Sequence, residues 1–179
     1  KNNYVKLLNT GGWSYNYSIN TKKHAIYNTE SMAGTCFLAI TNEIKNIKLS
    51  DELWAEKNGY AAFEDRIMIG KMIVNNNKAC IVSDASYVHN DSKTSVCNLS
   101  IDPVYCCSFN HYVFWHRYIY LLKKNFFSKL WAKICVNYYI FFTKIYYFIF
   151  KQSNKNVCKA VFEGFKDAKH FINSEEYKK

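Results

Sequence analysis

The sequence contains very little arginine. Only Arg66 and Arg117 are present among 24 basic residues, although the formal net charge is +10. Proteins that bind single-stranded nucleic acid without sequence preference combine a basic groove with exposed aromatic side chains. Arginine adds positive charge to such a groove and also stacks through its planar guanidinium group. Here the aromatic residues are too numerous and too contiguous to stay exposed on a sheet. We therefore rank nucleic acid below a membrane surface as a partner.

The sequence also lacks the motifs of common catalytic and cofactor sites. It contains no glycine-rich phosphate loop and no HExxH motif. Cys36 follows Gly34-Thr35 as a catalytic cysteine could, but no local motif provides a histidine partner. Glu64 and Asp65 are adjacent, so on a strand they would point to opposite sides. We predict that the protein is not an enzyme and needs no cofactor.

Two histidines and two cysteines, His111, His116, Cys106 and Cys107, lie close together in sequence. Their spacing is not that of a known zinc pattern. We therefore predict no metal site, and we interpret the two histidines as ordinary surface or core residues.

Seven cysteines are many for a reduced protein of 179 residues, and they fit no zinc or haem spacing. An oxidising compartment explains them better, with one thiol left over from an odd count. Three glycosylation sequons begin at Asn16, Asn90 and Asn98, and in a chain this rich in Asn about two would arise by chance. Because the first residue is Lys and no signal-peptide pattern follows it, we expect a mature product or a fragment. Together these features predict a secreted or secretory-pathway glycoprotein.

Acidic residues are missing from one long stretch. Residues 1–102 carry 11 basic and 10 acidic residues, residues 103–162 carry nine basic and no acidic ones, and residues 163–179 carry four of each. The high net charge therefore belongs to the middle segment. We divide the chain into a β-rich core (1–102), a basic aromatic segment (103–162) and a polar tail (163–179).

The basic aromatic segment has the spacing of a helix. Lys129, Lys133 and Asn137 recur every fourth residue, and Lys144 follows one heptad later. On a helix these four residues share one face, and Trp131 and the other apolar residues occupy the rest of the surface. Residues 130–150 match the length of a membrane span, but two lysines near a bilayer centre would cost about 2.5 to 3.5 kcal/mol each. A helix lying in the membrane interface, with Lys129, Lys133, Lys144 and Trp131 in contact with lipid, avoids that cost.

Two other interpretations of this segment stay open. It could form two ordinary core helices, because apolar residues at helical spacing are usually core. It could also be translated AT-rich non-coding DNA, which yields Phe, Tyr, Ile, Asn and Lys, and an intron boundary near Phe109 and Gln152 would show this. Residues 138–142 and 145–150 are β-prone and free of acids and proline, so they are aggregation-prone when exposed.

The N-terminal part predicts an antiparallel sheet. Apolar residues nearly alternate from Tyr60 to Val74, and Asn75-Asn76-Asn77 provides a turn before the strand at residues 79–82. Gly11-Gly12 marks a turn, residues 15–19 and 25–27 predict a hairpin, and residues 36–40 predict a buried strand. Ser50-Asp51-Glu52 predicts a short helical turn at Leu53.

Several residues of this region resemble the BRICHOS domain family, in its gastrokine-like branch. The run Trp54, Asn58, Gly59, Tyr60, Ala61 and Ala62 precedes Cys80-Ile81-Val82, and a second family-like cysteine lies at Cys158. The resemblance covers residues 15–158 and is weak in the middle. Asp65 matches the family acid.

The resemblance implies an α+β fold, with an antiparallel sheet and one or two flanking helices, and a disulfide between Cys80 and Cys158. It implies that Asp65 is buried near the helices, although Glu64, Asp65 and Arg66 could equally form a solvated turn. It also implies chaperone-like binding of aggregation-prone β segments, since an open strand edge can accept an extended chain. The alternative function is that of a cationic membrane-active or membrane-anchored protein acting through residues 103–162.

Overall fold

The computed structural model describes residues 3–19, 24–32, 36–86, 88, 101–150 and 155–178. It has an α+β fold with antiparallel strands, as predicted. The chain divides into two compact units. The first comprises Lys1–Leu8, Gly12–Glu52 and Glu64–Ser92, and the second comprises Asn9–Gly11, Leu53–Phe63 and Lys93–Lys179.

The first unit contains two small antiparallel sheets. Strand β1 (Val5–Leu7) pairs with β2 (Trp13–Tyr15), and β3 (Ile26–Thr29) pairs with β4 (Ala79–Val82). The register sets Tyr27 opposite Ile81 and Asn28 opposite Cys80. Backbone hydrogen bonds from Tyr4 to Asn28 and from Glu30 to Val5 link the chain around β1 to β3.

Two helices complete the first unit. Helix α1 spans Thr41–Asn46 and helix α2 spans Glu64–Val74. Ile47, Met68 and Ile69 form a buried cluster, against which Met32, Ile44, Met72 and Ala79 pack. A 3-10 helix, Leu49–Ala55, begins in this unit and ends in the second. It occupies the place where the sequence predicts a helical turn.

The strand predicted over residues 60–74 is wrong, because the chain forms α2 there. Ile67 and Ile69 alternate, but the next apolar pair, Met72 and Val74, is out of phase with them. A strand would place the two pairs on opposite faces, whereas a helix keeps Met68, Ile69 and Met72 on one side. Glu64 and Asp65 lie in the first turn, where acidic side chains interact favourably with the helix dipole.

Two further strand predictions need correction. Residues 15–19 and 25–27 do not form a hairpin with each other, because β2 pairs backward across the Gly11-Gly12 turn with β1. β4 likewise pairs with β3 and not with its neighbour in sequence, although the turn at residues 75–77 is present. Residues 36–40 are exposed and belong to no strand, since among the described residues no ladder covers them.

The second unit is a helical assembly. It contains α3 (Ile101–Trp115), a π-helical turn (His116–Tyr120), α4 (Phe126–Phe150), α5 (Lys155–Phe171) and α6 (Glu175–Lys178). Residues 108–115 of α3 are all buried, which makes it the central helix. Helix α5 runs through residues 162 and 163, so the structure continues as a helix across the predicted boundary of a polar tail.

Helices α3 and α5 cross at close range around Gly164. A Cβ atom placed on Gly164 would lie 2.6 Å from the carbonyl oxygen of Tyr105 and 2.9 Å from Cβ of Ser108. Only glycine permits this approach. The other buried residues of α5 recur at helical spacing along the same face: Val157, Ala160, Val161, Phe165, Ala168 and Phe171.

Three side chains of α3 form hydrogen bonds with backbone carbonyls of Asn9–Gly11 and Leu53–Phe63, the two earlier segments of the second unit. Asn110 is fully buried, and its Nδ2 atom donates hydrogen bonds of 2.8 Å to the carbonyl oxygens of Ala55 and Ala62. His111 Nε2 lies 2.8 Å from the carbonyl oxygen of Thr10, and Trp115 Nε1 donates to that of Asn9. These bonds satisfy backbone groups that no regular ladder serves.

Candidate functional site

Helix α4 carries a long exposed apolar surface, which we call the α4 stripe. Its members are between 44% and 80% exposed. At 3.6 residues per turn they cover about one third of the helix circumference. The stripe consists of Phe127, Leu130, Trp131, Ile134, Tyr138, Phe141, Phe142, Phe148 and Ile149.

The opposite side of α4 is buried in the second unit. Ala132, Val136 and Ile140 lie four residues apart and are at most 5% exposed. They are smaller than the residues of the stripe, which suits a face packed against other helices. The helix thus buries its small aliphatic side chains and presents its large aromatic ones to solvent.

The local sequence favours a regular helix at this place. Asn125 precedes α4, and its Oδ1 atom accepts a hydrogen bond of 2.7 Å from the backbone nitrogen of Ser128, which is an N-cap. On the exposed side, aromatic rings four residues apart approach each other, with centroid distances of 4.4 Å for Tyr138 and Phe142 and 5.4 Å for Tyr146 and Phe150. Such pairs stabilise a helix modestly.

Basic residues border the stripe on one side. Lys133, Asn137 and Lys144 lie along one edge of it, as the four-residue spacing predicts, and Lys129 lies one row further round the helix. Lys144 Nζ is 5.1 Å from the ring centroid of Phe162, and Lys129 Nζ is 5.7 Å from that of Tyr120. The structure therefore brings the predicted membrane-contact residues, Lys129, Trp131, Lys133 and Lys144, onto one helix.

No acidic residue lies on α4 to neutralise these lysines. Among the described residues, neither Lys133 nor Lys144 forms an ion pair. The surface formed by the stripe and its lysine edge is therefore both apolar and positively charged. In the described part of the chain, no helix is long and apolar enough to cross a membrane.

The predicted disulfide is absent from the structure. Cys80 lies exposed on β4, and Cys158 lies on α5, where its Sγ atom donates a hydrogen bond to the carbonyl oxygen of Tyr147. Neither sulfur is part of a cystine. The same holds for Cys36, Cys106, Cys107 and Cys135, while Cys97 lies outside the described residues.

The other predicted site residues do not converge on one site. Asp65 is half-buried in the first turn of α2, where its Oδ1 atom accepts a hydrogen bond from the backbone nitrogen of Arg66. Asn16 lies in a turn, and its Oδ1 atom accepts hydrogen bonds from the backbone and hydroxyl of Ser18. Asn90 and Asn98 fall outside the described residues. Glycosylation stays a prediction.

Histidines and cysteines do not assemble into a metal site within the described part of the chain. His111 is buried and stacks on Tyr139 with ring centroids 4.5 Å apart. His116 Nδ1 lies 2.7 Å from the hydroxyl of Tyr177. Burial, and secondly the charge of Arg117, lowers the pKa of His116 to about 4. Both histidines therefore serve the structure of the second unit.

Sequence reasoning missed the residues that hold this unit together, Asn110, Gly164 and Tyr177. A glycine within an apolar helical pattern is a recognisable signal of close packing. Asn110 gives no such signal, because its two carbonyl partners lie about 50 residues earlier in the chain.

No family model, curated protein or solved structure matches this chain. The resemblance to BRICHOS domains therefore stays a prediction.

Proposed function

We propose that this protein binds the surface of anionic membranes through the α4 stripe and its lysine edge. The observation that carries the proposal is the exposure of nine large apolar side chains along one helix, bordered by lysines that have no acidic partner among the residues the structure describes. Monomeric soluble proteins rarely expose continuous apolar surface of this extent without a use for it.

The residue types fit a bilayer interface better than a protein partner. Trp131 and Tyr138 of the stripe combine an apolar ring with a polar group, and such side chains concentrate at the level of lipid headgroups. Lysines beside them can extend toward lipid phosphates while their aliphatic stems cover apolar surface. Each lysine near an anionic surface contributes about 1 kcal/mol of attraction.

Co-sedimentation with vesicles tests this proposal. Vesicles that contain an anionic lipid should bind the protein, neutral vesicles should bind it more weakly, and added salt should weaken binding because exposed charges are screened. The double variant Trp131→Gln/Phe141→Gln should lower the affinity at least about tenfold, since it removes two inserted rings. The matched control is Tyr17→Gln, which removes an aromatic ring that is 90% exposed in the first unit. Equal loss in both variants would contradict the proposal.

A second candidate function is chaperone-like binding of aggregation-prone β segments, which the BRICHOS resemblance implies. The observation that favours it is that β4 pairs only with β3 among the described strands, so its other edge has no strand partner there. An extended chain could add to such an edge. The ladder is only four residue pairs long, which limits the contact.

Fibril formation by an apolar peptide, measured without vesicles, tests the second candidate. Chaperone-like binding should slow it at substoichiometric protein concentration. Vesicle binding together with unchanged fibril kinetics would eliminate the chaperone function and retain the membrane function.

A further inference from the structure

A groove lies between α4 and α5, next to the lysine edge of the α4 stripe. Its volume is about 320 Å³, and its floor is apolar, formed by Ile140, Phe162 and Phe165. Ile140 and Phe165 are buried, and Phe162 is half-buried. A floor of this kind accepts hydrocarbon and gives no hydrogen bond to a fully polar ligand.

The wall of the groove is basic. Lys144 from α4 and Lys166 and Lys169 from α5 line it, together with one acid, Glu163. Three lysines and one glutamate give the lining a net charge of +2. Glu163 is also paired with Lys159, at 3.6 Å, on the outer side of α5.

The lysines of the groove have no acidic partner in the described part of the chain. Among the described residues, Lys144, Lys166 and Lys169 form no ion pair. Lys169 Nζ instead lies 3.4 Å from Oδ1 of Asn137. Burial, followed by the charges of Lys144 and Lys133, lowers the pKa of Lys169. Like charges are thus crowded here, and a bound anion would relieve their repulsion.

We propose that this groove binds a phosphomonoester group carried on a hydrocarbon chain, as in phosphatidic acid. A phosphomonoester carries a charge of about −1.5 to −2 near neutral pH, which matches the lining better than a monoanion does. Lysine ammonium groups bind phosphate as point charges, and the hydrocarbon next to the phosphate would contact the apolar floor. The proposal rests on the proposed membrane function, to which it adds selectivity for one headgroup class.

Vesicle binding at matched surface charge tests the selectivity. Phosphatidic acid vesicles should bind the protein about tenfold more tightly than phosphatidylserine vesicles. The groove lysines would add charge-assisted hydrogen bonds to the phosphomonoester group, beyond the general electrostatic attraction to an anionic surface. The variant Lys166→Gln/Lys169→Gln should reduce that ratio to about one. The matched control Lys123→Gln/Lys124→Gln removes equal charge ahead of α4 and should keep the ratio. No preference in the unmodified protein, or a preference that survives Lys166→Gln/Lys169→Gln, would overturn the proposal.

Calorimetry with water-soluble ligands separates this site from the membrane function. A short-chain phosphatidic acid should bind the unmodified protein and the α4 stripe variant Trp131→Gln/Phe141→Gln, but not Lys166→Gln/Lys169→Gln. This result would support the proposed phosphate site in the groove even if the protein did not bind vesicles. If short-chain phosphatidic acid did not bind the unmodified protein, the proposed site would be overturned. Inorganic phosphate, added alone, should bind at least about tenfold more weakly because it leaves the floor empty. Equal affinity for inorganic phosphate would identify free phosphate as the ligand and overturn the lipid assignment.

Discussion

Single buried polar residues decide how the second unit holds its irregular segments. Asn110 is fully buried in α3, and its side-chain amide donates hydrogen bonds to the carbonyl oxygens of Ala55, the last residue of the 3-10 helix, and of Ala62. His116 and Tyr177 form a second polar contact, in which a neutral imidazole is held by burial. Buried groups of this kind are costly to disturb, because a lost partner leaves another group without a hydrogen bond.

Asn110→Ala should lower the free energy of unfolding by about 2 to 4 kcal/mol. The change leaves the carbonyl oxygens of Ala55 and Ala62 without their donor and opens a small cavity. Urea denaturation monitored by circular dichroism measures the loss. Asn156→Ala, at an exposed position of α5, is the matched control and should change stability by less than about 0.5 kcal/mol. Similar values for both variants would refute the structural role of Asn110.

Stability should fall as the pH falls from about 6.5 to 4, and His116 should be one cause. The folded pKa of His116, about 4, lies below the value of about 6.5 in an unfolded chain. The unfolded chain therefore binds more protons in this window, which favours unfolding as the pH drops. Allowing for partial exposure, the effect is on the order of 1 to 2 kcal/mol.

Thermal unfolding from pH 4 to 7 tests this account of His116. His116→Gln should flatten the pH dependence in that window. His170→Gln, which removes an exposed histidine of α5, should leave the dependence as it is. A curve for His116→Gln that runs parallel to that of the unmodified protein would show that His116 is not involved.

Local sequence patterns predict those helices and turns whose formation depends mainly on residues close by in the chain. The helical spacing around Lys129 and Lys133, the turn at residues 75–77 and the helical turn at Leu53 are all visible in the sequence. Helix α2 was not predicted, because two isoleucines two residues apart imitate a strand. The pairing of β3 with β4 joins segments about 50 residues apart, and no local pattern specifies such a partner.

Gly164→Ala should destabilise the protein by about 1 to 3 kcal/mol, although alanine normally stabilises a helix interior relative to glycine. The new methyl group would lie 2.6 Å from the Tyr105 carbonyl, which belongs to the backbone of α3 and cannot rotate away. Chemical denaturation checks the sign. Lys155→Ala, at the exposed start of α5, is the control and should be nearly neutral. A stabilised Gly164→Ala variant would mean that α3 and α5 do not approach this closely.

The sequence predicts a helical basic aromatic segment over residues 103–162, but it does not predict which face of α4 is buried. Apolar residues cover most of α4, so either side could have been core. The packing decides it, because the small side chains of Ala132 and Val136 face the other helices and the large rings are left outside. The exposed stripe is therefore a property of the folded second unit, and it is also an aggregation hazard at high protein concentration.

The fluorescence of Trp131 reports directly on insertion of the α4 stripe into a membrane. Of the four tryptophans, Trp131 is 59% exposed, Trp13 is half-buried with the Arg66 guanidinium 3.6 Å from its ring centroid, and Trp54 and Trp115 are almost fully buried. A new apolar environment should therefore register mainly at Trp131. On addition of anionic vesicles, we predict a blue shift of the emission and quenching by lipids brominated near the headgroup end of the acyl chain. Both changes should disappear in Trp131→Phe, which still binds the vesicles. Vesicle binding without either change, or with both changes retained in Trp131→Phe, would contradict insertion of the α4 stripe.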